Sequence, residues 1–131
     1  MPADLKILIV DDERLVRRSL QKTLIRAGFD VDSAGNCSEG LMIFQDAVTA
    51  STPFDLVLLD LNMPNFDGVQ QDGAGLTLLS RLLELSPGLP AIILTAYDDI
   101  DKTKDAMTRG AKAYFVKGRE KGLVNLINEI V

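Results

Sequence analysis

Five side chains suited to charge-driven chemistry occupy comparable places in this chain. Asp11 and Asp12 follow directly on the apolar run "LKILIV", residues 5–10. Asp60 follows "LVLL", Thr95 closes "AIILT", and Lys117 follows "AYFV". Three carboxylates at one place raise each other's pKa or call for a cation. A hard cation with oxygen ligands satisfies them, and Mg²⁺ suits one or two carboxylates together with waters and a phosphate. A threonine hydroxyl and a lysine ammonium add donors for a phosphoryl group. The set holds no general base, yet phosphoryl transfer needs mostly positioning and charge neutralisation. A carboxylate can itself act as the nucleophile and become an aspartyl-phosphate. Each residue alone has a plainer reading. A lone Asp before a helix is more often an N-cap, Thr95 alone is a strand-end residue, and Lys117 alone is surface charge. The joint reading requires elements that bring all five to one edge.

The patterning supplies such elements. Residues 5–10 form a strand-length apolar run, and Val16, Leu20, Thr23, Leu24 and Ala27 then recur at helical spacing before Gly28. "FDVDSA" (29–34) alternates as a half-exposed strand, and Leu41, Phe44 and Val48 line a second helix with Ser38 as its expected cap. "DLVLLD" is a third strand; Leu76, Leu79, Leu82 and Leu83 mark a third helix ended by "SPG". "PAIILTA" (90–96), a helix from about Ile100 to Gly110, "AYFV" (113–116) and a last helix through Leu123, Leu126, Ile127, Ile130 and Val131 complete the alternation. Strands alternating with helices predict a doubly wound α/β fold, (βα)5, with a five-stranded parallel sheet between two helical layers, the flavodoxin-like three-layer sandwich. The strands starting at Leu5, Leu56 and Ala91 are apolar throughout and belong in the centre; the alternating second strand belongs at an edge. Right-handed crossovers then favour the order 2-1-3-4-5. Ligands in such sheets bind outside the carboxyl ends of the strands at the switch point, here between strands one and three. That is where the acids lie.

Composition narrows the classes. The chain has 131 residues, 47% hydrophobic and 25% charged, which suits one soluble domain. No apolar run approaches membrane-spanning length, and "MPADLKILIV" does not read as a signal peptide. The single cysteine, Cys37, agrees with a reducing compartment, so a cytoplasmic location is expected. Cys37 reads as a small residue near a helix start rather than a thiol nucleophile, because the chain has no histidine to activate it. The same absence excludes a Ser-His-Asp triad and His-ligated zinc. A net charge of −5 argues against direct nucleic acid binding. Arg14, Arg17, Arg18, Lys22 and Arg26 read as a solvated helix face, with a docking surface for an acidic partner as the minority reading.

These residues, with "LIVDDE" (8–13), "LVLLDLNMP" (56–64), "ILTAYDD" (93–99) and "GAKAYFVK" (110–117), resemble the receiver domain of two-component response regulators over essentially the whole chain. The resemblance implies a phosphorylation-operated switch in a phosphorelay. Asp60 looks like the phosphoacceptor, which takes its phosphoryl group from a phosphohistidine of a sensor kinase or phosphotransfer protein. Asp11 and Asp12 look like the acidic pair that holds Mg²⁺ with Asp60 and the backbone carbonyl of Asn62. Lys117 looks like the lysine that pairs with the phosphoryl group, Thr95 like the switch hydroxyl, and Tyr114 like the aromatic whose ring turns inward when Thr95 moves. The surface of the fourth helix, fifth strand and fifth helix would change in response. Small Ala96, after Thr95, leaves access to the pocket. The implied partners are the phosphodonor, a downstream effector domain or protein, and a second copy in a phosphorylation-dependent homodimer. The chain would not be an enzyme beyond its own phosphorylation and slow self-dephosphorylation.

Two positions depart from the family pattern. Gly118 stands where Pro usually follows the lysine, which predicts a trans Lys117–Gly118 bond or a freer loop. "VQQDGAG" (69–75) is inserted before the third helix, a tolerated surface loop by preference, a lid or partner-specificity element otherwise. Two alternatives remain on the list of functions: a degenerate receiver that only binds partners, against which the full acidic set speaks, and a metal-dependent aspartyl-phosphate phosphatase of the haloacid-dehalogenase type. The latter wants a second Asp where Asn62 stands. An EF-hand fails at Asn65, and "GVQQDGAG" lacks the Lys-Ser or Lys-Thr of a P-loop. Val131 ends the last apolar stripe, which leaves a single-domain regulator and the N-terminal part of a longer one both open.

Overall fold

A computed structural model describes residues 5–61, 74–95, 100–118 and 122–131. Its elements alternate as β1 (Lys6–Val10), α1 (Arg14–Arg26), β2 (Asp30–Ala34), α2 (Cys37–Thr49), β3 (Leu56–Asp60), α3 (Ala74–Leu85), β4 (Ala91–Thr95), α4 (Ile100–Arg109), β5 (Ala113–Val116) and α5 (Leu123–Ile130). The strands pair in parallel in the order β2-β1-β3-β4-β5, as expected.

The continuous apolar runs have a direct explanation. Alternate residues of each central strand feed two separate cores. Leu8, Val10, Val57, Leu59, Ala91 and Ile93 face Phe44, Ala47, Leu78, Leu79, Leu82 and Ala106 of α2, α3 and α4. Ile7, Ile9, Leu56, Leu58, Ile92 and Leu94 face Leu20, Leu24, Leu123 and Ile127 of α1 and α5. β2, with its Asp30, Asp32 and Ser33, takes one edge, where alternation suffices. No helix among the described residues is long and apolar enough to cross a membrane.

Local signals set the helix ends. α1 stops where Gly28 takes φ +97 and the Phe29 N–H returns to the Leu24 carbonyl at 3.1 Å, a turn glycine adopts freely. The cap of α2 is Asn36, not Ser38. Asn36 sits in extended backbone one residue ahead of Cys37, and its side chain accepts from the Glu39 N–H at 2.8 Å. Ser38 already lies inside the helix. The third helix also starts earlier than its leucines suggest. Ala74 and Gly75 are helical and buried, so the expected 69–75 insertion ends by residue 73, and residues 69–73 lie outside the described residues. A Cβ on Gly75 would stand 2.5 Å from the Asp60 carbonyl oxygen and 2.6 Å from Leu61 Cα. Glycine there lets the start of α3 press against the end of β3.

Candidate functional site

Strand register alone aligns the charged residues. Val10 pairs with Leu59, so Asp11 stands level with Asp60. Asp60 pairs with Leu94, and Thr95 follows one step on; Thr95 pairs with Val116, and Lys117 follows in turn. The carboxyl ends of β1, β3, β4 and β5 therefore present their polar residues along one edge of the sheet.

Lys117 gathers that edge. Its Nζ lies 3.0 Å from Asp11 Oδ2, 3.1 Å from Asp60 Oδ2 and 2.7 Å from Glu13 Oε1. Asp11 and Asp60 are almost completely buried, whereas Asp12 and Glu13 are exposed. Carboxylate oxygens of Asp11, Asp12, Glu13 and Asp60 all lie within 4.8 Å of one another. Asp11 is also fixed through its other atoms. Its Oδ1 accepts from the Glu13 N–H at 2.8 Å, its carbonyl accepts from Arg17 Nη1 at 2.7 Å, and its N–H donates to the Ala34 carbonyl at 3.1 Å. The N-cap position of α1 is Glu13, whose side chain caps nothing. Neither aspartate is therefore the N-cap residue, although Asp11 Oδ1 takes the N–H of the residue that is.

The electrostatics show one ammonium among too many carboxylates. Burial first, and the Asp60 charge second, push the Asp11 carboxyl up to about 6 despite Lys117 at 3.0 Å. Burial and then Asp60 also raise the Asp12 carboxyl. For Lys117, burial alone would favour the neutral amine. The hydrogen bond to Glu13 and the charges of Asp60 and Asp11 outweigh it, so the ammonium is held more firmly than an ordinary lysine's. An all-oxygen donor set with uncompensated negative charge fits a hard divalent cation and no soft one.

Thr95 is buried, and its Oγ1 lies 2.9 Å from Thr103 Oγ1 of α4. Its carbonyl accepts from the Lys117 N–H at 3.0 Å, which ties β4 to the lysine's own backbone. Tyr114 stands on β5 and is 55% exposed. The Lys117–Gly118 bond is trans, and Gly118 takes φ +89. Cys37 begins α2, buried, with its thiol 3.6 Å from the Ala74 carbonyl; burial, then the Asp60 charge, push it up to about 11, so it is no nucleophile at neutral pH. Asn62 and Ala96 lie outside the described residues.

Asp11, Asp12, Asp60 and Lys117 meet as the sequence predicts, and Thr95 stands on the same edge. The sequence assigns no role to Glu13, Gly75 or Thr103, and it places Arg17 on a solvated basic helix face, whereas its guanidinium holds the Asp11 carbonyl. Glu13 was open to detection as a third acid in the run "DDE". Arg17 sits six residues past the carbonyl it holds, and Thr103 bonds a residue on another element; neither leaves a pattern in the sequence.

The profile of the response regulator receiver domain family matches residues 7–128. The chain is 34% identical over 123 residues to the response regulator protein FleR of Pseudomonas aeruginosa, covering 93% of this chain and 24% of FleR. It is 34% identical over 112 residues to sporulation initiation phosphotransferase F of Bacillus subtilis, covering 86% of this chain and 81% of that protein. The crystal structure of a CheY-like response regulator receiver domain protein from Methanospirillum hungatei superposes with a TM-score of 0.81 at 29% identity, covering 96% of this chain and 92% of that one. The chain spans a quarter to a half of the length of the first curated relatives that it matches.

Proposed function

Because this chain belongs to the response regulator receiver domain family, we propose that Asp60 accepts a phosphoryl group from a phosphohistidine of a sensor kinase or phosphotransfer protein. The single observation that carries the reading is Asp60 itself. It is a nearly buried carboxylate at the end of a central strand, with Lys117 Nζ at 3.1 Å and two more aspartates alongside.

The chemistry follows from that placement. A carboxylate oxygen of Asp60 attacks the phosphorus, and the P–N bond to the donor imidazole breaks. The electron pair of that bond leaves on the imidazole nitrogen. Lys117, already at the carboxylate, neutralises charge on the transferring group. Asp11 and Asp12, with Asp60, would hold Mg²⁺, which supplies further neutralisation of the phosphoryl oxygens. Thr95 donates its hydroxyl to the product acyl phosphate, and Tyr114 moves inward from its exposed position on β5. The acyl phosphate adds roughly −1.5 to −2 charge at the end of β3, which biases the α4–β5–α5 surface.

The reaction is stoichiometric: the chain is phosphorylated once and slowly hydrolyses its own phosphate, without turnover of external substrates. A cytoplasmic location is part of the same reading, supported by the lone buried Cys37. The output is exerted on an effector domain or protein, or through a second copy of the chain.

Incubation with acetyl phosphate and Mg²⁺, followed by intact-mass measurement, tests this. One added phosphoryl group in the wild type and none in Asp60→Asn is expected. Equal labelling of both, or none of either, overturns it. Repeated turnover of phosphomonoesters would favour the phosphatase alternative instead.

A further inference from the structure

A Thr95 side chain that turns toward a phosphoryl oxygen on Asp60 turns away from a partner on α4. That partner is Thr103, with the two Oγ1 atoms 2.9 Å apart and both side chains buried. Thr103 points into the sheet from the first turn and a half of α4 and bonds the last residue of β4.

The helix that carries it is only lightly anchored by apolar packing. Among the described residues of α4, Thr103 and Ala106 alone are buried. The large side chains Ile100 and Met107 face outward, 61% and 37% exposed. An element with so little buried apolar surface shifts at low cost. A polar link to the strand then counts for a larger share of what fixes the helix.

We propose that Thr103 is a positioning residue for the switch: its hydroxyl holds Thr95 in the unphosphorylated orientation, and loss of this bond transmits phosphorylation to α4. The inference rests on the receiver reading and extends it to a residue of α4. The Thr95–Thr103 bond stabilises the resting arrangement. Phosphoryl binding must overcome it, and reciprocally the phosphoryl group loosens α4 by the same factor. A ligand that requires the other orientation binds more weakly by the fraction of molecules that have left the resting one.

Affinity for beryllofluoride in the presence of Mg²⁺ tests the proposal, with the ion as a stand-in for the phosphoryl group. Thr103→Val keeps the shape and removes the hydroxyl. It should bind beryllofluoride about 3- to 10-fold more tightly, the ratio an ordinary neutral hydrogen bond controls. Thr103→Ala should do the same if the valine variant folds poorly. Thr103→Ser, which restores the hydroxyl, should return to the wild-type affinity, a rescue that a packing role for the methyl would not give. In a Thr95→Val background the valine at 103 should have no further effect. Unchanged or weaker binding in both Thr103→Val and Thr103→Ala overturns the proposal, as does a gain that persists when Thr95 is already valine. If the wild type fails to bind beryllofluoride, or Asp60→Asn binds it equally, the receiver reading itself is wrong and the proposal falls with it.

Discussion

Lys117 and Glu13 meet across 104 residues of chain, Nζ donating to Oε1 at 2.7 Å, closer than the ammonium approaches either buried aspartate. The Glu13 side chain is 58% exposed, so water screens most of that contact. Asp11 and Asp60 are buried partners, with side chains 0% and 3% exposed. The short distance is therefore not the influential one. Glu13→Gln should slow labelling by acetyl phosphate less than about 5-fold, the range of an exposed ion pair. Lys117→Gln should slow it about 10²- to 10³-fold, as the loss of a preorganised charge donor does. Time courses of intact mass for the two variants provide the comparison.

The Asp11 carboxyl sets a pH dependence on the metal-free protein. Its folded value of about 6 lies above the ordinary 3.8, so the folded state binds the proton more tightly than the unfolded chain. The resulting stabilisation is fully present below the ordinary value and is lost as pH rises through about 6. Asp11→Asn, a permanent mimic of the protonated acid, should thus be more stable than the wild type at pH 7 without metal, by on the order of 1–3 kcal/mol. At pH 4 the advantage should vanish. Urea denaturation at the two pH values reads both, and added Mg²⁺ should narrow the gap at pH 7 by stabilising the wild type alone.

Gly75 is a packing glycine, and its replacement is directly predictable. The Cβ of Gly75→Ala would meet backbone at 2.5 Å on Asp60 and 2.6 Å on Leu61, neither of which can turn aside as a side chain tip would. We expect a loss of about 1–3 kcal/mol in urea denaturation, the usual cost of forcing atoms into a packed interior. Labelling of Asp60 should fall along with it. The neighbouring Ala74→Gly serves as a control for helix propensity without the collision.

Gly118 offers a sharper test, since family habit and local backbone point in opposite directions. The resemblance to receiver domains implies a proline after the lysine, yet Gly118 has φ +89, and proline is confined to about −65°. Gly118→Pro should therefore destabilise the chain rather than restore a preferred sequence. Gly118→Ala should cost about 1–2 kcal/mol, the penalty of a Cβ at positive φ. A thermal melt of the three proteins ranks them, and a Gly118→Pro variant as stable as the wild type would contradict the turn.

Much of this architecture was legible because burial is written into the strands. β3 is buried at all five positions, and only a strand covered on both faces carries "LVLLD". Alternation in β2 marked it as an edge for the complementary reason. Once the strand order followed, the polar residues at the strand ends came together by register. What escaped detection depends on distances between elements. The Gly75 collision exists only because α3 presses on β3, and a glycine beside other glycines reads as loop. Thr103 matters through a partner on another element, and nothing in "IDKTKDAMTR" distinguishes it from Thr108, which bonds within its own helix. The cap at Asn36 was missed by two residues, since either Asn36 or Ser38 is a sound capping type and only backbone conformation decides between them.

The strand order has a consequence for the chain as it is made. β1, the first strand to emerge, ends the process between β2 and β3, while Lys117 arrives only with β5 at the far edge. Until then Asp11 and Asp60 carry like charges into a closing sheet with no ammonium between them. Docking of β5 beside β4 therefore brings a positive charge to the two acids as well as burying apolar surface. Lys117 is thus, during synthesis, the counter-charge that reaches the two acids last.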